Sequence, residues 1–162
     1  MKVPRTKSSP AGAPLLEVRP SAIQGLGAFA TQRIRKGTRL VEYQGERITP
    51  EEADERYDDE SDPSPHVLLF TVDKELVIDA GVNGNDARFI NHSCEPNCVA
   101  VVDRRRVYIE ANREIASGEE LTYDYNLQQD EPPDEETKRR YACHCGAKNC
   151  RGTMLEITKA GK

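Results

Sequence analysis

The chain has 162 residues, 36% hydrophobic and 31% charged, and its 23 Lys and Arg against 28 Asp and Glu leave a net charge of −5. That length suits one ordinary domain, alone or with a small appendage; the sequence holds no run of about eighteen apolar residues to span a membrane. The acidic balance disfavours duplex nucleic acid as the main partner, because a phosphate-binding surface is basic. It favours Lys-rich peptides, which the summed field attracts.

Met1–Pro14 is rich in Pro, Ser, Gly and Lys and reads as a flexible arm. No apolar stretch follows its basic residues, so it is not expected to be a secretory signal. Leu15–Arg19 is expected as a strand, then Ala28–Ile34 and Arg39–Tyr43, with Lys36-Gly37 turning between the last two. Thr49-Pro50-Glu51-Glu52 starts a helix: Thr49 caps it, Pro50 fits the first turn, and Glu52 completes a capping box. The helix runs into an acidic stretch, Asp54–Asp62, and stops at Pro63 and Pro65. Val67–Val72 and Leu76–Asp79 read as a hairpin around Asp73-Lys74, and Val99–Val102 and Arg106–Ala111 as another around Asp103-Arg104. Glu114–Gly118 is a turn and Glu120–Tyr125 the last strand. Many short strands and one helix predict a mainly β fold of small sheets with short helices. Gln128–Thr137, acidic with Pro132-Pro133 inside it, reads as a linker to a Cys-rich tail.

All five cysteines lie at or after Cys94. An odd count without a signal peptide argues against a disulfide framework and for a reducing, intracellular compartment. Cys143, Cys145 and Cys150 form C-x-C-x4-C, three soft ligands where structural zinc wants four. His144, flanked by two of them, is poorly placed to point inward beside them. Cys94 and Cys98 both remain open as the fourth. Buried small thiols are the competing reading, but so short a tail lacks the apolar mass to fold without a metal.

Arg88–Cys98 (RFINHSCEPNC) is dense in polar groups straight after an apolar pair. His92 and Ser93 are neighbours whose side chains normally diverge, and no nucleophile elbow is present, so a serine hydrolase is rejected. An Asx-turn at Asn91 closed by Pro96 is compatible with a functional segment.

This segment, EELTYDYN at Glu119–Asn126 and the C-x-C-x4-C tail together resemble a SET-domain protein lysine methyltransferase with a post-SET zinc motif. The wording is nearest to the mixed-lineage-leukaemia type of histone methyltransferase. The likeness extends to Gly25–Ala30, Val41–Glu46 and Gly84-Asn85, and spans about residues 15–155. It implies a SET fold with a C-terminal pseudoknot around Arg88–Cys94 and Glu120–Asn126, threading that periodicity does not predict. The implied organisation is an arm (1–14), a catalytic core (15–127, acidic insert about 50–66), a linker (128–138), a post-SET zinc motif (139–155) and a tail (156–162).

Motif by motif, the resemblance implies that Gln24, Gly25 and Leu26 line an S-adenosylmethionine site through their backbone. Asn91 and His92 would hold the methionine and adenine parts, and His144 and Met154 would close over the adenine. Tyr125 would be the catalytic tyrosine, with Tyr43 and Tyr123 lining the lysine channel. Cys94 would complete one structural zinc with Cys143, Cys145 and Cys150, leaving Cys98 free. Two features depart from the family: no Cys-rich region precedes the core, and Leu68 stands where an aromatic residue is common.

The implied chemistry is methyl transfer from S-adenosylmethionine to a lysine of a basic, possibly histone-like, protein. A free lysine has a pKa of about 10.4, so the site must favour the neutral amine. An apolar channel and a neighbouring sulfonium both do so. A tyrosine at position 123 implies mainly monomethylation. Glu51–Asp62 reads as a solvated face, with a groove for basic peptides as the alternative. The competing function is a zinc-containing, non-catalytic module that docks basic or methylated peptides. A nucleic-acid-binding zinc protein ranks third, because Arg104-Arg105-Arg106 is too short to offset the acidic balance. Localisation is expected to be nuclear in a eukaryote and cytoplasmic in a bacterium.

Overall fold

The computed structural model describes residues 14–23, 25–56, 68–127 and 134–155. The expected arm up to residue 13, Gln24, most of the acidic stretch, the two prolines expected to stop the helix, the start of the expected linker and the final tail lie outside those residues.

Strands β1 (Leu16–Pro20) and β2 (Leu26–Ala30) pair antiparallel as a hairpin. The expected strand Ala28–Ile34 stops at Ala30, and Ile34 bridges separately to Ile115. β3 (Arg39–Glu42) leads to β4 (Glu46–Ile48), a strand the sequence reading did not single out. Its three residues are too few to show an alternation.

Helix α1 (Pro50–Arg56) starts as its sequence predicts. The Thr49 N–H donates to Glu52 Oε1 at 2.9 Å and the Glu52 N–H donates to Thr49 Oγ1 at 3.1 Å, a reciprocal capping box. At its far end Arg56 Nη1 donates to Asp79 Oδ2 and pairs with Glu46, each at 2.9 Å, fastening the helix to the sheet below.

β5 (Leu69–Thr71) and β6 (Val77–Asp79) form the first predicted hairpin, and β4 adds on the other side of β6. As the central strand, β6 is buried at every position, so it reads as an apolar run ending in a paired carboxylate. A 3-10 turn (Asp86–Phe89) precedes the two-residue β7 (Asn91–His92). β8 (Cys98–Asp103) and β9 (Arg106–Ala111) form the second hairpin, with β3 on the far edge of β9. Central β9 buries Val107, Ile109 and Ala111 in strict alternation. Asp103 pairs with Arg106, so Arg104-Arg105 makes the turn, one residue later than expected. Both take positive φ, 54° and 64°, the twist that closes a two-residue hairpin.

The expected strand Glu120–Tyr125 changes partner as it goes. Glu120 bridges to Phe29 of β2, and the Leu121 N–H donates to Ala28 O. Only Thr122–Tyr123 (β10) is a regular strand, and it runs parallel to β7 with Thr122 opposite Asn91 and Tyr123 opposite His92. Asn126, at φ 50°, then breaks the extended path. β7 and β10 thus bring together the two segments that the resemblance links. Helix α2 (Glu135–Arg140), capped by the Asp134 side chain on the Thr137 N–H at 2.8 Å, occupies part of the expected linker. The core sits between these sheets, with Tyr43, Ile78, Ile90, Ile109, Ile115 and Leu121 almost fully enclosed.

Candidate active site

Parallel pairing of β7 with β10 sets His92 beside the strand end that carries Tyr123, Asp124 and Tyr125. The Tyr125 N–H donates to His92 Nδ1 at 3.0 Å, which requires a lone pair there. Burial agrees, holding His92 down to about 4, opposed by the Asp124 carboxylate and aided by Arg151. The neutral ring therefore carries its proton on Nε2, which faces Cys94 Sγ at 3.5 Å.

A row of rings continues from His92. His92 and Tyr125 meet edge-on at 5.3 Å between centroids, Tyr125 and Tyr123 lie 4.9 Å apart, Tyr123 and Phe70 6.5 Å, and Phe70 and Tyr43 5.5 Å. Tyr43, Tyr123 and Tyr125, the three tyrosines singled out by the resemblance, thus lie in one row. Phe70, which the sequence reading passed over, joins them because β5 pairs with β6 opposite Ile78. Leu68, the expected aromatic position, contributes its carbonyl instead, accepting from the Tyr43 hydroxyl at 2.7 Å.

The three hydroxyls differ. Tyr125 donates to Ile90 O at 2.6 Å and Tyr43 to Leu68 O. Tyr123 is 5% exposed, and its hydroxyl has no hydrogen-bond partner among the described residues. Burial pushes all three phenols above their ordinary range, so they stay neutral near pH 7.

A narrow cleft opens on the other side of Tyr125. Its walls are Ile23, Asn91, His92, Tyr125, Ala142, Cys143, His144 and Met154. The expected cofactor residues Asn91, His92, His144 and Met154 converge here. Gly25 and Leu26 do not line it: their carbonyls accept from the Ser21 N–H at 2.8 Å and from Asn91 Nδ2 at 3.0 Å. Ile23, unflagged by the sequence reading, takes the wall position. Gln24 lies outside the described residues. Gly25 takes a left-handed φ of 47°, and a Cβ on Gly27 would overlap the Glu120 carboxylate. The G-x-G spacing thus has a local reason at each glycine.

The tail reaches the same cleft. Sγ atoms of Cys94, Cys143, Cys145 and Cys150 all lie within 4.8 Å of one another, with Cys94 to Cys143 at 3.8 Å and Cys94 to Cys150 at 4.0 Å. Tetrahedral zinc with bonds near 2.3 Å needs sulfur–sulfur spacings of about 3.8 Å, so this donor set fits. N–H groups of Cys94 and Arg151 point at Cys145 Sγ and Cys94 Sγ, at 3.4 and 3.3 Å. Burial works against a thiolate at Cys145, but backbone N–H groups of Cys94 and Ala147, together with the thiols of Cys143 and Cys150, outweigh it and bring that thiol down to about 6. Cys98 stands apart, 1% exposed on β8 and pushed by burial up to about 12. Arg151 forks onto Asp124 through Nη1 to Oδ2 at 2.9 Å and Nη2 to Oδ1 at 3.2 Å, joining the cysteine tail to the strand end between the two tyrosines.

No helix among the described residues is long and apolar enough to cross a membrane. A wider surface groove beside Tyr43 mixes Arg47, Arg104 and Arg106 with Glu42, and Arg106 pairs with Glu42 at 3.4 Å, which argues against a purely basic surface.

Residues 25–126 match the SET domain family. Human histone-lysine N-methyltransferase 2D is 42% identical over 138 residues, which covers 83% of this chain but 2% of that protein. The H3 lysine-4 specific histone-lysine N-methyltransferase of Schizosaccharomyces pombe is 44% identical over 142 residues, 83% of this chain and 14% of that protein. The corresponding H3 lysine-4 specific enzyme of Saccharomyces cerevisiae is 45% identical over 141 residues, 83% and 12%. The chain therefore spans only a small fraction of the length of these curated relatives. With a family match across the strands that build the cleft and the ring row, and identity above 40% over most of its length, this chain belongs to the SET-domain family.

Proposed function

We propose that this chain is an S-adenosylmethionine-dependent protein lysine N-methyltransferase acting on a basic, histone-like tail. The observation that carries this is the double position of Tyr125: it walls the cleft of Asn91, His92 and Met154, and it belongs to the ring row of Tyr43, Phe70 and Tyr123. A cofactor in the cleft and a lysine among the rings would meet at that side chain. The names of the relatives support a histone substrate and, in a eukaryote, a nuclear setting; in a bacterium the cytoplasm is the corresponding place.

The cofactor would supply an electrophilic sulfonium methyl. The protein's part is to desolvate, orient and hold. Burial among four aromatic rings favours the neutral amine. Tyr125 and Tyr43 use their protons on backbone carbonyls, so their oxygens are left to accept from an amine N–H or a polarised C–H. Alignment of the amine accounts for much of the rate. The neutral phenols bring no charge that would hold the lysine protonated.

Cys94, Cys143, Cys145 and Cys150 would hold one structural zinc, which ties the tail carrying His144 and Met154 over the cleft. Glu51–Asp62 is read as a solvated face rather than a peptide groove; Asp58, Asp59 and Glu60 lie outside the described residues.

Transfer of labelled methyl from S-adenosylmethionine to core histones and to a Lys-rich peptide tests the reading. Wild type is expected to label lysine, and Tyr125→Phe to lose about a hundredfold in rate. Wild type that labels neither substrate, or Tyr125→Phe with full activity, would overturn it. A protein that binds methylated peptides without transfer would favour the docking module instead.

A further inference from the structure

We propose that Glu120 is a positioning residue for the cofactor cleft, holding two of the segments that line it in register; this rests on the cleft being the S-adenosylmethionine site. One is the β1–β2 loop, which presents Ile23, and the other is β7, which presents Asn91. Neither loop nor strand is paired to the other by a backbone ladder: β1 and β2 form one sheet, β7 and β10 another. Asn91 Nδ2 reaches Leu26 O at 3.0 Å, and the Glu120 carboxylate adds a charged link between the two segments. Ser21 Oγ donates to Glu120 Oε2 at 2.8 Å, with Oε1 at 3.0 Å, and Asn91 Nδ2 donates to Glu120 Oε2 at 3.0 Å. Ser21 Oγ in turn accepts the Ile23 N–H at 2.9 Å and lies 3.2 Å from Asn91 Nδ2. Glu120 itself is fixed by its backbone bridge to Phe29.

The chemistry of the position asks for a carboxylate. The groups that hydrogen-bond the Glu120 side chain among the described residues are donors, a hydroxyl and an amide NH2, and a carboxylate accepts from both. An amide could meet both donors only through a neutral oxygen in the place of Oε2, and would lose the charge assistance of the carboxylate. Gly27 fits the same picture, since a Cβ there would occupy the space of the Glu120 carboxylate. The Glu120 carboxylate adds to the burial that raises the Tyr125 phenol, but its hydrogen bonds go to Ser21 and Asn91, so the main effect falls on cofactor affinity through the seating of Ile23 and Asn91.

Calorimetric binding of S-adenosylmethionine, with steady-state kinetics in varied cofactor, tests this on the full chain. Glu120→Gln is expected to weaken cofactor binding about tenfold, and Ser21→Ala about threefold, the range for losing charge-assisted and neutral hydrogen bonds. Glu120→Gln should raise the cofactor KM by the same factor, with kcat at saturating cofactor changed less than about twofold. The Ser21→Ala/Glu120→Gln pair should be no worse than Glu120→Gln alone, because Ser21 acts through the carboxylate. A purely structural role would lower kcat and Tm without this split. Unchanged cofactor affinity in Glu120→Gln, or additive effects in the pair, would overturn the proposal while leaving the methyltransferase reading standing. If Glu120→Gln does not fold, Ser21→Ala decides: an unchanged affinity overturns the proposal and a threefold loss supports it. Wild type that binds no S-adenosylmethionine would remove the functional reading, and this proposal with it.

Discussion

Tyr43, Tyr123 and Tyr125 occupy one row of rings, yet only Tyr123 leaves its hydroxyl unpartnered among the described residues. That hydroxyl is the one left free to meet a substrate amine or its water. Tyr123→Phe therefore loses no hydrogen bond on folding, and its Tm is expected to equal or slightly exceed that of wild type. Tyr43→Phe removes the bond to Leu68 O, which keeps the Ala80 N–H at 3.0 Å, and is expected to lose about 1 kcal/mol. Denaturant unfolding of both variants checks the contrast. In the proposed enzyme the same hydroxyl restricts room for further methyl groups, so wild type should make mainly monomethyl-lysine and Tyr123→Phe should shift toward di- and trimethyl. Mass spectrometry of the products reads this, and identical product distributions would refute it.

Among elements, the junction of β10 with the cysteine tail is where site and stability meet. The Arg151–Asp124 fork is two-thirds or more buried on each side, with side chains 25% and 33% exposed. Its geometry is the bidentate kind that contributes more than a loose surface pair. Asp124 also borders His92, while the Arg151 backbone N–H points at Cys94 Sγ. Arg151→Ala is expected to cost about 1 kcal/mol, after allowing for solvent screening, and to raise cofactor KM by releasing the tail. Arg151→Lys should recover little, because an ammonium cannot fork onto both carboxylate oxygens. Full recovery by lysine would mean that the pair acts only as a charge contact.

On the scale of the whole molecule, two independent perturbations separate core from lid. If zinc staples the tail, a strong chelator or Cys150→Ser should abolish methyl transfer while circular dichroism still reports the strands, because the sheets hold their own buried cluster. Activity that survives verified metal removal would refute the staple. The core has its own pH limit. Burial raises Tyr43 above the ordinary phenol value of 10.0 and Cys98 from 9.0 to about 12. In the unfolded chain both ionise earlier, so the unfolded state binds fewer protons at high pH and stability falls. Stability should hold up to about pH 9, then decline as Cys98 and next Tyr43 ionise in the unfolded chain. Melting curves from pH 8 to 11 measure it, and a flat Tm across that range would contradict the burial of these two groups.

Short-range chemistry was legible from the residues alone. Thr49 and Glu52 form the capping box their spacing predicts, β9 alternates as its residues do, and C-x-C-x4-C announced a metal donor set. Each depends on neighbours a few positions apart, which a sequence displays directly. The family likeness named the tyrosines and the fourth cysteine; spacing by itself left Cys94 and Cys98 equal. What only the tertiary structure decided are the partnerships: β10 parallel to β7, Phe70 among the tyrosines, Ile23 in the cleft wall, Arg56 on buried Asp79, and Glu120 between Ser21 and Asn91. Periodicity tells which face of a strand turns inward, not which distant segment meets it. A strand such as Glu120–Tyr125, which trades one neighbour for another every two residues, carries no repeat from which its partners could be read.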